Sequence, residues 1–216
     1  EKFSTGFFFF LFTNNISLRY NKNMSISKSL NAKFAFLFLF LFLLVILLKP
    51  SKASASTSIT SDITNNTTWD IAGSPYIIEN NIFVDLGAAL TIDPGVIVKF
   101  ANDVTVGVDG EINANGTSVD HITITSDTAL LGSYIGFVFI DSVGNFQYTD
   151  ISYANTAIET LGGEMTIANS SFTNNNEPTR IDFSTDFTHS GNSFSNNAYD
   201  NFILFGDSLG QDVHLT

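Results

Sequence analysis

Short runs of alternating apolar and polar residues, separated by turn residues, fill residues 90–126. Successive side chains of a strand point to opposite faces, so period-two alternation predicts half-buried strands. One face is expected to carry Leu90, Ile92, Val96, Val98, Phe100, Ile112, Ala114, Ile122 and Ile124. The other face is expected to carry Thr91, Ile97, Lys99, Thr123 and Thr125. No window after residue 56 keeps a 3.6-residue apolar period, which predicts an all-β body with essentially no helix.

A motif of Ser, an aromatic residue, a small residue and Asn recurs in the second half of the chain. Segments starting at Asp150, Asn169 and Gly191 align without gaps, and their aromatic residues stand at positions 153, 172 and 194. A period near 20 with strand-like content predicts a parallel β-solenoid with three short strands per coil. At about 21 residues per coil, the chain from Asp70 onward would form about six or seven coils.

Stacked coils place equivalent residues directly above one another. The alignment therefore predicts an internal aromatic stack of Tyr153, Phe172 and Phe194. It also predicts an Asn ladder at a turn, formed by Asn155, Asn174 and Asn196, whose amides would bond turn backbone that is otherwise buried without partners.

Two dipeptides leave an alternative architecture open. Asp109-Gly110 and Asn115-Gly116 are strong hairpin signals and, taken locally, favour an antiparallel sandwich. The very short strands and the repeated motif favour the solenoid, because the motif needs in-register stacking that hairpins do not provide.

The first 55 residues predict an export signal rather than part of the fold. The apolar run 34–48 is shorter than the about 20 residues of a membrane span. Met24 can start a signal peptide over 24–55, with Lys28 and Lys33 before the run and Ala53-Ser54-Ala55 as its cleavage site. An uncleaved anchor is the alternative. Residues 1–23 are interpreted as an upstream, non-native segment, residues 56–68 as a polar lead-in, and residues 69–216 as a β-helix whose further coils are expected beyond Thr216.

The charge of the body excludes one class of partner. Residues 56–216 hold only Lys99 and Arg180 against 20 carboxylates, a formal net charge of −18. Such a surface repels phosphate backbones, so nucleic acid is not an expected partner, and an acidic coat keeps a secreted solenoid soluble. The chain has no Cys, which excludes disulfides and cysteine-based sites.

Short strand-like segments follow Trp69, and they comprise residues 75–78, 82–84, 90–100, 106–117 and 122–126. With these segments the body resembles secreted right-handed parallel β-helix proteins of the pectin-lyase-like superfamily, whose domains often begin where Trp69 stands. The resemblance implies a right-handed coil and says little about activity, because the superfamily includes lyases, hydrolases, adhesins and surface repeats.

The active sites that the resemblance implies are not recognisable here. A lyase would need calcium-binding carboxylates and a basic residue backed by further cations, and only Lys99 and Arg180 are present. A polygalacturonase-type hydrolase would need clustered Asp and a Gly-His-Gly motif, which His121, His189 and His214 lack. Asp182 and Asp186 would lie about 13 Å apart on one strand, too far for glycoside hydrolysis. Asp150 aligns with Asn169 of the next coil, so the stacked residues at this position would include only one acid.

Three weaker possibilities remain open. Calcium could bind at acidic turns such as residues 206–212, although no known calcium-loop pattern occurs. Tyr134 or Tyr199 could stack on sugars or pack in loops. The Thr123 and Thr125 pair could belong to an ice-binding face, although no other Thr-x-Thr is visible in the sequence alignment.

The sequence thus predicts a secreted or cell-surface repeat module with a structural, adhesive or carbohydrate-binding role. It predicts no catalytic, cofactor-binding or metal-binding residue. Polysaccharide or a cell-surface partner is expected, without membrane contact after signal cleavage. The alternative is a polysaccharide lyase or glycoside hydrolase of the same superfamily whose active site lies in missing coils.

Overall fold

The computed structural model describes Leu37 and residues 55–206. The chain divides into two compact units, Glu1–Lys52 and Ala53–Thr216. The predictions for residues 1–23 and 24–55 lie outside the described residues, apart from Leu37 and Ala55, and so does almost all of the acidic segment 206–212.

Residues 55–206 form short strands joined by turns, and none of these residues is helical. The strands are β1 Thr57–Ile59, β2 Thr67–Trp69, β3 Tyr76–Ile78, β4 Ile82–Val84, β5 Ala89–Ile92, β6 Ile97–Phe100, β7 Thr105–Val108, β8 Glu111–Asn115, β9 Ile122–Ser126, β10 Gly136–Ile140, β11 Val143–Gln147, β12 Thr149–Ser152, β13 Thr156–Leu161, β14 Glu164–Ala168, β15 Ser171–Thr173, β16 Glu177–Asp182, β17 Asp186–Ser190, β18 Ser193–Ser195 and β19 Ile203–Phe205.

These strands make three parallel sheets that wind around one core. Sheet 1 has the order β1-β3-β6-β9-β12-β15-β18, sheet 2 the order β19-β16-β13-β10-β7-β4, and sheet 3 the order β17-β14-β11-β8-β5-β2. From β3 onward the chain visits sheets 1, 2 and 3 in turn, so each circuit is one coil. The prediction of an all-β parallel solenoid of about six or seven coils is confirmed, and the structure has about seven. The right-handed sense of the coil stays a prediction.

The hairpin alternative is wrong for both dipeptides. β7 lies in sheet 2 and β8 in sheet 3, although only Asp109 and Gly110 separate them. Every paired strand of the described part runs parallel to its neighbour in the next coil. The solenoid also includes residues ahead of Trp69, because β1 pairs with β3 and β2 with β5.

The inward positions of the strands form the core, as the alternation predicts. All nine residues expected on the inner face of 90–126 are buried, and the five expected on the outer face are partly or well exposed. Among the described residues, every buried polar side chain is Ser, Thr or Asn and none is charged. The apolar interior therefore avoids the large cost of burying an unpaired charge.

The predicted aromatic stack is displaced by two residues. Ile151, not Tyr153, pairs with Phe172, which pairs in turn with Phe194. The rings of Phe172 and Phe194 stack with centroids 5.3 Å apart. Tyr153 follows the strand and adopts a left-handed φ of 67°. The gapless alignment fails because the first of these coils is two residues longer than the aligned motifs imply.

The Asn ladder exists at a neighbouring position. Buried Asn175 accepts a bond from the Ala154 amide at 2.9 Å and donates to the Ile151 carbonyl at 3.1 Å. Asn197 repeats this one coil later, bonding the Asn175 amide and the Phe172 carbonyl. Of the predicted ladder, Asn174 and Asn196 instead supply left-handed turn residues, and Asn155 bonds Asn176 at the surface. Turn backbone is satisfied as expected, by different asparagines.

Candidate functional site

The outer face of sheet 1 carries two columns of polar side chains, all of them hydroxyl-bearing except Asp150. One column contains Thr123, Asp150, Ser171 and Ser193, and the other contains Thr125, Ser152, Thr173 and Ser195. Neighbouring coils are about 4.8 Å apart, and alternate residues of a strand are roughly 7 Å apart. The Thr123 and Thr125 pair is thus followed by polar pairs in three further coils, in the first of which Asp150 takes the place of a hydroxyl residue.

Asp150 is the centre of a polar cluster on this face. One of its carboxylate oxygens lies 3.1 Å from His121 Nδ1. The other accepts a 2.5 Å hydrogen bond from Ser171 Oγ. The side chains of His121 and Asp150 are 36% and 43% exposed, so a ligand can reach both. His121, Asp150 and Ser171 belong to three successive coils, and stacking alone brings them together.

An aromatic ring borders this cluster. Tyr148 occupies the turn between sheets 3 and 1 with a left-handed φ of 47°, and it is partly exposed. Its ring centroid lies 5.6 Å from that of His121. The site therefore offers an aromatic surface, a carboxylate and several hydroxyls, which we call the Asp150 site (His121, Thr123, Tyr148, Asp150 and Ser171).

The Asp150 site lacks the arrangement of an activated nucleophile. The Ser171 hydroxyl donates to Asp150, and the His121 ring bonds the same carboxylate instead of the hydroxyl. A serine nucleophile needs a base that accepts its proton and a third group that orients the base. The arrangement is suited to accepting and donating hydrogen bonds.

The two cations of the body lie on different sheets. Lys99 on sheet 1 pairs with Asp127 at 3.3 Å. Arg180 on sheet 2 pairs with Glu159 at 3.4 Å and with Glu177 at 3.6 Å. Each cation is therefore engaged by carboxylates of its own surface, and the structure does not bring them together as a lyase site would require.

Asp182 and Asp186 do not share a strand. Asp182 ends β16 in sheet 2 and Asp186 begins β17 in sheet 3, with a turn between them. Asp182 accepts bonds from the Ser184 hydroxyl and amide, which hold the pKa of Asp182 below its usual range. The Asp182 side chain thus stabilises the turn between β16 and β17.

The predicted alignment of Asp150 with Asn169 is wrong. Asp150 pairs with Ser171 in the next coil.

The remaining candidate aromatic and histidine residues differ in how far they are buried. Tyr134 is buried, stacks on Phe100 with centroids 4.4 Å apart and donates to the Ser152 carbonyl, so it cannot stack on a sugar. Tyr199 is 55% exposed. His189 packs against the rings of Phe187 and Phe202.

Two kinds of feature are absent from the described part of the chain. No group of three or more His, Asp or Glu side chains there is placed to hold a metal ion. No helix among those residues is long and apolar enough to cross a membrane.

Comparison with known proteins finds no matching family model, no matching curated protein and no matching solved structure.

Proposed function

We propose that the chain is a secreted, non-catalytic β-helix module of the pectin-lyase-like type, and that it binds a neutral polysaccharide at the Asp150 site. The observation that carries this proposal is the Asp150 site itself, where an accessible carboxylate and an aromatic ring adjoin hydroxyl columns that run through four coils. Secretion is supported by the apolar run 34–48 followed by Ala53-Ser54-Ala55.

The chemistry of the site matches a sugar polymer. A carboxylate accepts hydrogen bonds from sugar hydroxyls, and Ser and Thr hydroxyls both donate and accept. An aromatic ring offers its apolar face to the C–H groups of a sugar ring. The parallel columns repeat these groups along the solenoid axis, so successive units of a polymer can bind successive coils.

The negative charge of the surface favours a neutral polymer over an acidic one. Residues 56–216 carry 20 carboxylates and two cations, and both cations are already paired. An acidic glycan would meet repulsion over the whole body.

Affinity electrophoresis of the purified full chain through gels containing neutral or acidic polysaccharides tests this function. We expect retardation by at least one neutral polymer and none by acidic ones. Asp150→Asn keeps the shape of the side chain but removes the charge, and we expect it to weaken binding at least tenfold, as loss of a charged hydrogen bond does. Tyr148→Ala should weaken binding similarly.

Tyr199→Ala is the matched control, because Tyr199 is exposed and outside the Asp150 site. It should bind as the unchanged chain does. Absence of retardation by every polymer, or equal retardation of Asp150→Asn and the unchanged chain, would contradict the proposal. Release of reducing or unsaturated sugar ends during the assay would instead support the enzymatic alternative.

The continued hydroxyl columns also favour a second candidate, an ice-binding face. Thr123 and Thr125, Ser171 and Thr173, and Ser193 and Ser195 form regular outward pairs. The charged Asp150 interrupts them, which is why a soluble polymer ranks first. Depression of the freezing point below the melting point, lost in Thr125→Asp but kept in Asp150→Asn, would identify this function.

A further inference from the structure

The outer face of sheet 3 carries four carboxamide side chains on two adjacent strands. Asn113 on β8 pairs with Asn145 on β11, and Asn115 pairs with Gln147 on the same two strands. These residues alternate with buried ones, so their side chains point outward, and each is partly or well exposed. The four positions form a rectangle of about 4.8 Å by roughly 7 Å, a footprint comparable with one sugar ring. We call this surface the carboxamide patch (residues 113, 115, 145 and 147).

A chain of hydrogen bonds orients one half of the carboxamide patch. The side-chain N–H of Asn145 donates to the side-chain oxygen of Asn113 at 2.9 Å. Asn113 donates in turn to Glu111 Oε1 at 2.8 Å. Bonds in such a chain polarise one another and hold each amide in place. The side-chain oxygen of Asn145 accepts no hydrogen bond from any described residue, so it offers a ligand an acceptor of fixed direction.

The other half of the carboxamide patch has no structural task in the described part of the chain. The side chains of Asn115 and Gln147 are exposed, and neither forms a hydrogen bond with a described residue. Each offers two N–H donors and one oxygen acceptor. Sugar hydroxyls need both kinds of group. Replacing these two side chains therefore separates a role in binding from a role in stability.

The carboxamide patch continues into the Asp150 site around one corner of the solenoid. Tyr148 alone separates β11 from β12, and Gln147 directly precedes it. Tyr148 thus stands at the edge between the patch on sheet 3 and Asp150 on sheet 1. A ligand at the Asp150 site that extends over this edge meets the carboxamide patch.

The shape of the edge favours a branched ligand. Sheets 1 and 3 enclose one core, so their outer faces point in different directions and meet at a convex edge. A straight polymer that follows the polar columns of sheet 1 cannot also lie on sheet 3. A branch that leaves this polymer near Tyr148 can reach Asn115 and Gln147.

The chemistry of the carboxamide patch favours a sugar branch over other ligands. The four carboxamides are uncharged, and the surrounding body with its 20 carboxylates repels an acidic branch. A peptide strand would find no free strand edge here, because β8 and β11 are each paired on both sides. We propose that the carboxamide patch is a second sugar-binding subsite, which takes a neutral branch of a polysaccharide whose main chain lies at the Asp150 site. This role depends on the polysaccharide binding proposed above.

Isothermal titration calorimetry of the purified full chain with matched oligosaccharides tests this subsite. The probes are linear mannan, xylan and glucan oligosaccharides, and the same backbones carrying neutral galactose, arabinose or xylose branches. The backbone that binds should bind about tenfold more tightly in its branched form, as one or two additional net hydrogen bonds would give. The chain is produced in a host without N-glycosylation, because Asn115 heads an Asn-Gly-Thr triplet.

Three variants separate the two subsites. Asn115→Ala combined with Gln147→Ala should abolish the preference for the branched form and leave the affinity for the linear form unchanged. Asp150→Asn should weaken the binding of both forms, because it changes the contact to the main chain. Asn80→Ala combined with Asn201→Ala is the matched control, since it removes two exposed carboxamides outside the patch and should bind like the unchanged chain. Melting temperatures show whether each variant is folded.

The outcomes distinguish failure of the subsite from failure of the proposed function. A branch preference that is absent from the unchanged chain, or that survives in the Asn115 and Gln147 variant, would overturn the subsite alone. Equal weakening of linear and branched probes in that variant would place the main chain on the patch and would overturn the assignment of a branch. Binding that is indifferent to Asp150→Asn, or no binding of any probe, would contradict the proposed function itself.

Discussion

The buried side chain of Tyr134 makes the stability of the fold depend on pH. It is buried, and burial raises its pKa above the value of about 10 for an exposed tyrosine. The folded chain thus keeps a proton that the unfolded chain releases above that pH. The contribution of protonated Tyr134 to the free energy of unfolding is fully present below pH 10. As the pH rises further, this free energy falls by up to about 1.4 kcal/mol per pH unit.

Replacing Tyr134 with Phe should remove this alkaline loss. The variant should unfold about 1 kcal/mol more easily at neutral pH, because the hydrogen bond to the Ser152 carbonyl is gone. Above pH 10 its free energy of unfolding should fall less steeply with pH than that of the unchanged chain. Urea titrations from pH 7 to pH 11 measure both effects. A parallel decline in the two chains would contradict them, and Tyr199→Phe serves as the exposed control.

At the same scale, the sequence predicted correctly which side chains face inward and outward. The residues predicted for the aromatic stack and for the Asn ladder were partly wrong. Alternation is a local property, so the positions from Leu90 to Thr125 were predictable. The partner of Phe172 depends instead on how many residues the preceding turn contains. Both Ile151 and Tyr153 are large and apolar enough for the core, so residue type could not decide between them.

At the scale of the strand and turn, two glycines give a matched test of how tightly the coils stack. Gly136 opens β10 with φ +97°, and a Cβ there would lie 2.1 Å from the Thr156 carbonyl oxygen. Gly87 has φ +83° but no atom within 4 Å of its added Cβ. Both substitutions force a side chain into left-handed backbone, and only Gly136 also presses on the next coil.

Gly136→Ala should therefore be the more destabilising change. We expect a loss of about 1 kcal/mol for Gly87→Ala from backbone strain alone. Gly136→Ala should lose roughly 3 kcal/mol or more, since overpacking adds to that strain. Urea unfolding of the two variants measures the difference, and equal losses would show that the coils yield easily at this point.

Strand existence was predictable from the sequence, and coil length was not. The register of sheet 1 gives coils from 19 to 27 residues long, as in the steps from Thr57 to Tyr76 and from Ile124 to Ile151. Turn insertions lie on the surface and change the length without disturbing the stack. A fixed period therefore identifies a solenoid but cannot assign every residue to its column.

At the scale of the whole molecule, each coil contacts only its neighbours, so stability should vary along the stack. Phe172 is fully buried between Ile151 and Phe194, whereas Phe194 is partly exposed near the end of the described coils. Phe172→Ala should cost about 3–5 kcal/mol, and Phe194→Ala clearly less.

Hydrogen exchange distinguishes the two variants. Phe194→Ala should reduce protection mainly in β17, β18 and β19, because an end coil can open while the others remain paired. Phe172→Ala should reduce protection in several coils. Uniform loss of protection in both variants would contradict this nearest-neighbour behaviour.

The Asp150 site also depends on the whole stack. His121 and Asp150 are 29 residues apart in the chain, and Ser171 follows another 21 residues later. Asp150 and Ser171 lie in the recurring motif segments but at positions that are not aligned with each other, and His121 lies outside those segments. The sequence alignment placed Asp150 beside Asn169, two residues away from its true partner Ser171, and it did not align His121 with either coil.

The parallel pairing of coils has a mechanical consequence. If the two ends are pulled apart along the axis, every hydrogen bond between coils is stretched along its own direction. The hydrogen bonds between any two neighbouring coils bear the full force, so the weakest junction between coils breaks first and the others follow one at a time. Each such event would release 21 or 22 residues in the last coils, roughly 70 Å of extended chain. Single-molecule pulling would show steps of this length, so that the solenoid acts as a tether that lengthens coil by coil under tension.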